Sequence, residues 1–155
     1  LDEVSEWGVA ALERAARGLK CKTVVHICYG YGIKANIDWK QSLGEEWRQY
    51  ERIFPLLSAS KIDQVSLECI HSRVPITVLG LLKNKDVQVG VIDVASNIVE
   101  TPEEVAATLR QAMQQVPVER ILASTNCGMA PMPRIVAYAK LRALTAGARL
   151  VRDTL

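Results

Sequence analysis

An α/β protein with a parallel sheet is what this sequence predicts, and three observations carry that expectation. Short β-branched apolar runs alternate strictly with stretches of helical periodicity. The runs are rich in Val, Ile and Leu, as strands covered by helices are. No linker or low-complexity tract divides the 155 residues, so 1–155 is expected to form a single domain.

The elements follow in order. Val4, Trp7, Ala11, Leu12, Ala15 and Leu19 recur at helical spacing, with Gly18 as the stop. Thr23 to Cys28 reads as the first buried strand. After the loop Tyr29-Gly30-Tyr31-Gly32, one helix is expected to carry Leu43, Trp47, Tyr50, Phe54 and Leu57, with Pro55 disturbing its last turn. Trp7 and Trp47, both on helix stripes, are assigned to the core. The second strand is Gln64 to Glu68, followed by a short helix around Val78, Leu79 and Leu82 and a third strand, Val87 to Asp93. Thr101-Pro102-Glu103-Glu104 has the form of a capping box, with Thr at N-cap, Pro at N1 and Glu at N3. The helix it opens buries Val105, Leu109, Ala112, Met113 and Val116. Arg120 to Thr125 forms the fourth strand, and an Ala- and Leu-rich helix from about 133 to 151 closes the order. Four strands cannot close a barrel of eight. A small open sheet and half of a (β/α)8 barrel both fit this pattern.

Composition narrows the function classes. Hydrophobic residues make up 49% and charged residues 23%, the net charge is +2, and no run of Lys or Arg exceeds two residues. Nucleic acid and membrane surface are therefore not expected partners. No apolar run approaches the roughly 20 residues that span a bilayer, and no signal peptide opens the sequence. Cytoplasmic localisation is expected, which makes Cys21, Cys28, Cys69 and Cys127 reduced thiols or metal ligands rather than disulfides. Leu1 in place of Met suggests a piece of a longer protein.

The chemistry gathers at strand ends. His26 and Cys28, two apart, point to the same face of a strand. Glu68 ends the second strand, and Cys127 follows the fourth in Thr125-Asn126-Cys127-Gly128. In parallel α/β folds the carboxyl ends of strands converge on one rim. Taken singly, a strand His is usually a satisfied core residue and a buried Cys an inert hydrophobe. Together, two thiols, an imidazole and a carboxylate at one rim suit zinc.

His26-x-Cys28, the strand-ending Glu68 and the Asn126-Cys127-Gly128 turn resemble the zinc motif of cobalamin-independent methionine synthases. The resemblance extends over nearly the whole sequence, as the carboxyl-terminal half of the catalytic TIM barrel, strands five to eight, with the amino-terminal half absent. It implies that His26, Cys28, Glu68 and Cys127 hold zinc, and that homocysteine binds as a thiolate and takes a methyl group to give methionine. Two departures resemble the short, single-barrel members: Ala95 in Asp93-Val94-Ala95-Ser96, where longer enzymes have the His that protonates the folate leaving group, and Asn126, where they have Asp. Both favour a corrinoid over methyltetrahydrofolate as donor. The rivals are a methylcobalamin:coenzyme M-type methyltransferase and a non-enzymatic zinc module.

Other residues carry less specific signals. Asp93, on the same rim, is the catalytic and substrate-binding candidate, or else a solvated or capping carboxylate. Ser66 is a further substrate-binding candidate. Tyr29-Gly30-Tyr31-Gly32 reads as a lid or as an ordinary βα loop. His71 and Arg73 read as partners of the ligands or as loop decoration. Ser96 and Asn97 begin a turn. Cys69 points away from the metal by strand alternation, and Cys21 is a spare thiol.

Overall fold

The computed structural model describes residues 2–31 and 33–155, with side chains from residue 5 onward. Leu1, Gly32 and the Val4 side chain lie outside the described residues. Helix α1 (Asp2–Ala15) precedes β1 (Val24–Ile27), α2 (Lys34–Gln41), α3 (Tyr50–Ala59) and β2 (Gln64–Glu68). A 3₁₀ segment, Ile76–Leu81, leads to β3 (Asp86–Gly90) and α4 (Pro102–Met113). Then come a 3₁₀ turn, β4 (Ile121–Ser124) and α5 (Arg134–Arg152).

The four strands are all parallel and stand in sequence order, β1-β2-β3-β4. Right-handed crossovers between sequential neighbours put every helix on one face of such a sheet, which is how a (β/α)8 barrel is wound. Val65, Leu67, Val87 and Val89 point to the helix face and are fully buried. The opposite face is polar at its centre, with Val24 and Leu122 at its two edges. His26, Ser66 and Gln88 share one register row there, and Gln64 bridges strands by accepting from Gln88 Nε2 at 3.0 Å and donating to Asp86 at 3.1 Å.

The capping box forms as expected: Thr101 Oγ1 accepts the Glu104 amide at 3.2 Å, and Glu104 accepts the Thr101 amide at 2.7 Å. Reciprocal satisfaction of two helix-end donors fixes where α4 starts. Gly18 ends the first helical region at φ +84°.

Four expectations need correction. Of the single helix expected to carry Leu43 to Leu57, only the part from Tyr50 onward is helical; Leu43 and Trp47 lie in an irregular stretch from 42 to 49, with Gly44 at φ +80°, that separates α3 from the preceding α2. α2 buries none of its residues, so it has no apolar stripe to announce it. Pro55 lies inside α3, which runs on to Ala59. Trp7 is 68% exposed; it sits two residues before the buried Val9, which places it on the far side of the helix. Finally, β1 is buried on one face only, because it is an edge strand: Val24 and His26 are exposed while Val25 and Ile27 pack on the core.

Candidate metal centre

β1 ends at Ile27, so His26 is the last inward-facing residue of the strand and Cys28 is the first residue beyond it. Cys127 stands three residues past the end of β4. β1 and β4 are opposite edges of the sheet, three strand spacings or about 14 Å apart if it were flat. Yet the Sγ atoms of Cys28 and Cys127 are 3.7 Å apart. Only a strongly curved sheet with inward-turning loops closes that gap. A disulfide is far shorter, near 2.05 Å, and both thiols are free. The ligating atoms of His26, Cys28 and Cys127 all lie within 4.8 Å of one another.

Asn126 brings Cys127 inward. This residue is 1% exposed. Its amide N donates to Ile92 O at 2.9 Å, its Oδ1 accepts from the Cys69 amide at 3.2 Å, and its Nδ2 donates to Ile70 O at 2.8 Å. The side chain thus ties the loop after β4 to the loop after β2, with β3 between them. A carboxylate could not donate to Ile70 O, so Asn at this position follows from the local hydrogen bonding. Gly90 makes room for it. A Cβ on Gly90 would meet Asn126 Oδ1 at 2.5 Å and Leu67 O at 2.7 Å. Gly90→Ala is expected to destabilise the fold by about 1–3 kcal/mol and to weaken metal retention, read by denaturant unfolding and metal content. Sequence reasoning missed both residues, apart from noting Asn126 as a departure.

Ser66, expected to bind substrate, meets the ligand set. Its Oγ is 3.0 Å from His26 Nδ1, which fixes the imidazole and leaves Nε2 as the nitrogen free to coordinate. Glu68 stands beside the three-residue group without being part of it. It is 3% exposed, and its Oε1 accepts the Tyr29 amide at 3.1 Å while Oε2 accepts the Tyr31 hydroxyl at 2.6 Å. Burial pushes the Cys28 thiol up to about 11, with Cys127 and the Glu68 charge adding to it and a Gly30 backbone hydrogen bond opposing. Two close thiols near a buried carboxylate make an electron-rich nest that a cation relieves.

Behind Cys28 lies an aromatic wall. The Tyr29 ring is 4.8 Å from both Trp47 and Tyr50, and its hydroxyl donates to Gln49 at 2.6 Å. Trp47 is buried, as expected. Arg73 serves this wall rather than the ligands: its guanidinium is 5.9 Å from the Trp47 ring and donates to Gly44 O at 2.9 Å.

Asp93 is on the rim. Its Oδ1 accepts the Ala95 amide at 2.8 Å, and its Oδ2 lies 3.6 Å from His71 Nδ1. Together with Tyr31, Glu68 and Ala95, these two residues line a cavity of about 540 Å³. The backbone of Asp93 is held by a fully buried lysine: Lys140 Nζ donates to Asp93 O at 2.9 Å, to Ile98 O and to both oxygens of Glu100, while Glu100 accepts the Asp93 amide at 2.8 Å. Ser96 accepts the Ile98 amide at 3.1 Å, the expected turn. Cys21 is exposed, and Cys69 is outside the metal-competent group.

Comparison with known proteins adds the family. A match to "Cobalamin-independent synthase, Catalytic domain" runs over residues 3–149. The chain belongs to that family. A methionine synthase of Saccharolobus solfataricus is 32% identical over 154 residues, covering 96% of this chain and 40% of that protein. The corresponding protein of Sulfurisphaera tokodaii is 29% identical over 150 residues. A solved B12-independent methionine synthase from Shewanella sp. W3-18-1, in complex with selenomethionine, superposes with a TM-score of 0.92 at 57% identity, covering 99% of this chain and 45% of that one. The chain therefore spans less than half the length of these family relatives. The motif resemblance and the family agree, and the four parallel strands are part of a TIM barrel.

Proposed function

We propose that this chain is the metal-bearing half of a homocysteine S-methyltransferase of the methionine synthase type, and that His26, Cys28 and Cys127 hold zinc with Glu68 as a labile fourth donor. The 3.7 Å sulfur pair carries this reading. Tetrahedral zinc with Zn–S bonds near 2.3 Å sets its sulfur ligands about 3.8 Å apart, so the pair already has the spacing such an ion requires. Two thiols and an imidazole are soft donors that suit it. When bound, zinc acts as a Lewis acid that lets a substrate thiol stay deprotonated at neutral pH.

The residues of this chain do the rest. Ser66 orients His26, Asn126 holds Cys127 in place, and the aromatic wall of Tyr29, Trp47 and Tyr50 packs behind Cys28. A closed four-ligand set describes structural zinc, whereas catalysis needs an open position. Glu68, the one oxygen donor, is the member that gives way. Asp93, whose carboxylate faces the cavity, is proposed to anchor the substrate amino group. The selenomethionine held by the Shewanella protein is a close analogue of the expected product.

The acceptor reading rests on the family, which favours homocysteine over coenzyme M. Two observations bear on the donor and pull apart. Ala95 gives the rim no proton donor at its position, which favours a corrinoid, whose leaving group needs none. The family description names it cobalamin-independent, which favours a folate. For the folate route His71, which lines the same cavity beside Asp93, is the candidate proton donor.

The remaining strands of the barrel are proposed to come from chain outside this sequence. The unpaired edges of β1 and β4 support that, as does an apolar groove of about 680 Å³ along β4 and α5 that includes Leu122, Leu144 and Leu155. The test supplies the full-length protein with homocysteine and either methylcobalamin or methyltetrahydrofolate. Methionine formed with one donor is the expected result, and none with either donor contradicts the reading.

A further inference from the structure

We propose that Lys140 and Glu100 are positioning residues, a buried ion pair that fixes the backbone of Asp93 so that one carboxylate oxygen stays free for the ammonium group of the thiol substrate. The inference rests on the reading of Asp93 as the amino-group anchor and names the residues that make that anchor selective.

Stability alone does not call for such a pair. Apolar residues of like volume often replace a buried ion pair at no loss, and neither residue belongs to the three-donor group. What apolar side chains cannot do is bond to backbone. Lys140 Nζ has three N–H donors and sets them at both ends of one loop. They reach Asp93 O at 2.9 Å, Ile98 O, and the Glu100 carboxylate at 2.9 and 3.0 Å. Glu100 Oε1 in turn accepts the Asp93 amide at 2.8 Å. Both polar backbone groups of Asp93 are therefore held by one pair of side chains.

Helix packing places the ammonium. Gly147 lies on the same face of α5, two turns beyond Lys140. It comes so close to α4 that a Cβ there would meet Val105 at 2.5 Å and Pro102 O at 2.6 Å. That approach seats Lys140 against the loop, with its side chain 0% exposed. The consequence shows at the rim. Asp93 Oδ1 accepts the Ala95 amide at 2.8 Å, which leaves Oδ2, 3.6 Å from His71 Nδ1, for a cation in the cavity that both residues line. The carboxylate is thus ordered before substrate arrives, and its ordering is not a cost of binding.

The rival role is plain structural support, which acts on every ligand alike. Homocysteine and 4-mercaptobutyrate differ only in the amino group. Each is titrated calorimetrically into the full-length, zinc-loaded protein with no methyl donor present. The wild type is expected to bind homocysteine at least about tenfold more tightly, the scale of one hydrogen bond between charged groups. Lys140→Met, measured below its unfolding transition, is expected to bring the two affinities within about twofold of each other. Its affinity for 4-mercaptobutyrate stays that of the wild type. Glu100→Ala has the same effect from the other end of the loop, whereas Glu100→Gln keeps an oxygen for the Asp93 amide and retains the preference. If Lys140→Met does not fold, the two Glu100 variants decide by the same criterion. A preference unchanged in Lys140→Met and Glu100→Ala, or equal losses for both thiols, overturns the proposal. Asp93→Asn with the wild-type preference overturns the anchor reading and this inference with it. A wild-type protein that binds neither thiol overturns the methyltransferase reading, and both of these fall too.

Discussion

Cys127→Ser in the full-length protein is expected to lower homocysteine methylation by about 10⁴-fold, or roughly 5.5 kcal/mol, and to leave less than about one tenth of the bound zinc. The reasoning begins with what the centre contributes. A free thiol is already a few per cent thiolate at pH 7, so complete deprotonation gains only about 30-fold. Orientation of thiolate against methyl donor can supply roughly 7–11 kcal/mol. Most of the loss must therefore come from position. Cys127 is the sole member of the three-donor group from the β4 side, while His26 lies in β1 and Cys28 directly follows it. Without it the set no longer spans the barrel mouth. Serine matches cysteine in shape, and the Asn126 hydrogen bonds that hold the loop do not use the thiol, so the fold persists. Cys21→Ser is the control: its thiol is exposed and outside the group, so its zinc and activity are expected to equal those of the wild type. Normal activity in Cys127→Ser would remove the metal centre from the mechanism.

Lys140→Met is expected to destabilise the protein by about 3–5 kcal/mol, the usual consequence of breaking a buried ion pair by removing one partner. The Lys140 side chain is 0% exposed, and that of Glu100 is 2% exposed. Deleting the ammonium leaves the Glu100 charge, among the described residues, with the Asp93 amide as its donor, and strips a donor from Asp93 O and Ile98 O. Against a typical total stability of about 5–15 kcal/mol, the loss is large. Replacing both partners removes the orphaned charge and is expected to recover only part of it. The two carbonyls and the Asp93 amide remain without these partners, at about 1–3 kcal/mol for each group left unsatisfied. Urea unfolding of the three proteins provides the check. A single variant within about 1 kcal/mol of wild type would show that this clamp does not hold the 93–100 loop.

Features fixed by local chemistry were legible in the sequence. The Thr101–Glu104 capping box, the strand Gln64–Glu68 and the long final helix depend on near neighbours, and each forms where expected. The approach of His26, Cys28 and Cys127 was legible as well, because strand alternation and the shared rim of a parallel sheet are general rules, whereas Glu68, expected with them, stands outside the group. What escaped is of two kinds. α2 has no buried residue and so no periodicity to read, and the apolar spacing from Leu43 to Leu57 persists across a break that no hydrophobic pattern marks. The other kind is set by distant contacts. Asn126 bonds groups 56 and 57 residues away, Gly90 is needed because Asn126 and the Leu67 carbonyl sit against it, and Ser66 meets His26 from the neighbouring strand. Edge position, a property of the whole sheet, is what leaves Val24 and His26 exposed.

The central claim is that two sulfurs and one imidazole from opposite edges of this sheet grip one ion. Zinc-edge X-ray absorption of the full-length, zinc-loaded protein measures that directly. Two sulfur neighbours near about 2.3 Å with one nitrogen near about 2.0 Å, falling to a single sulfur in Cys127→Ser, is the predicted result. A shell made only of light atoms, or one unchanged by the substitution, would contradict it.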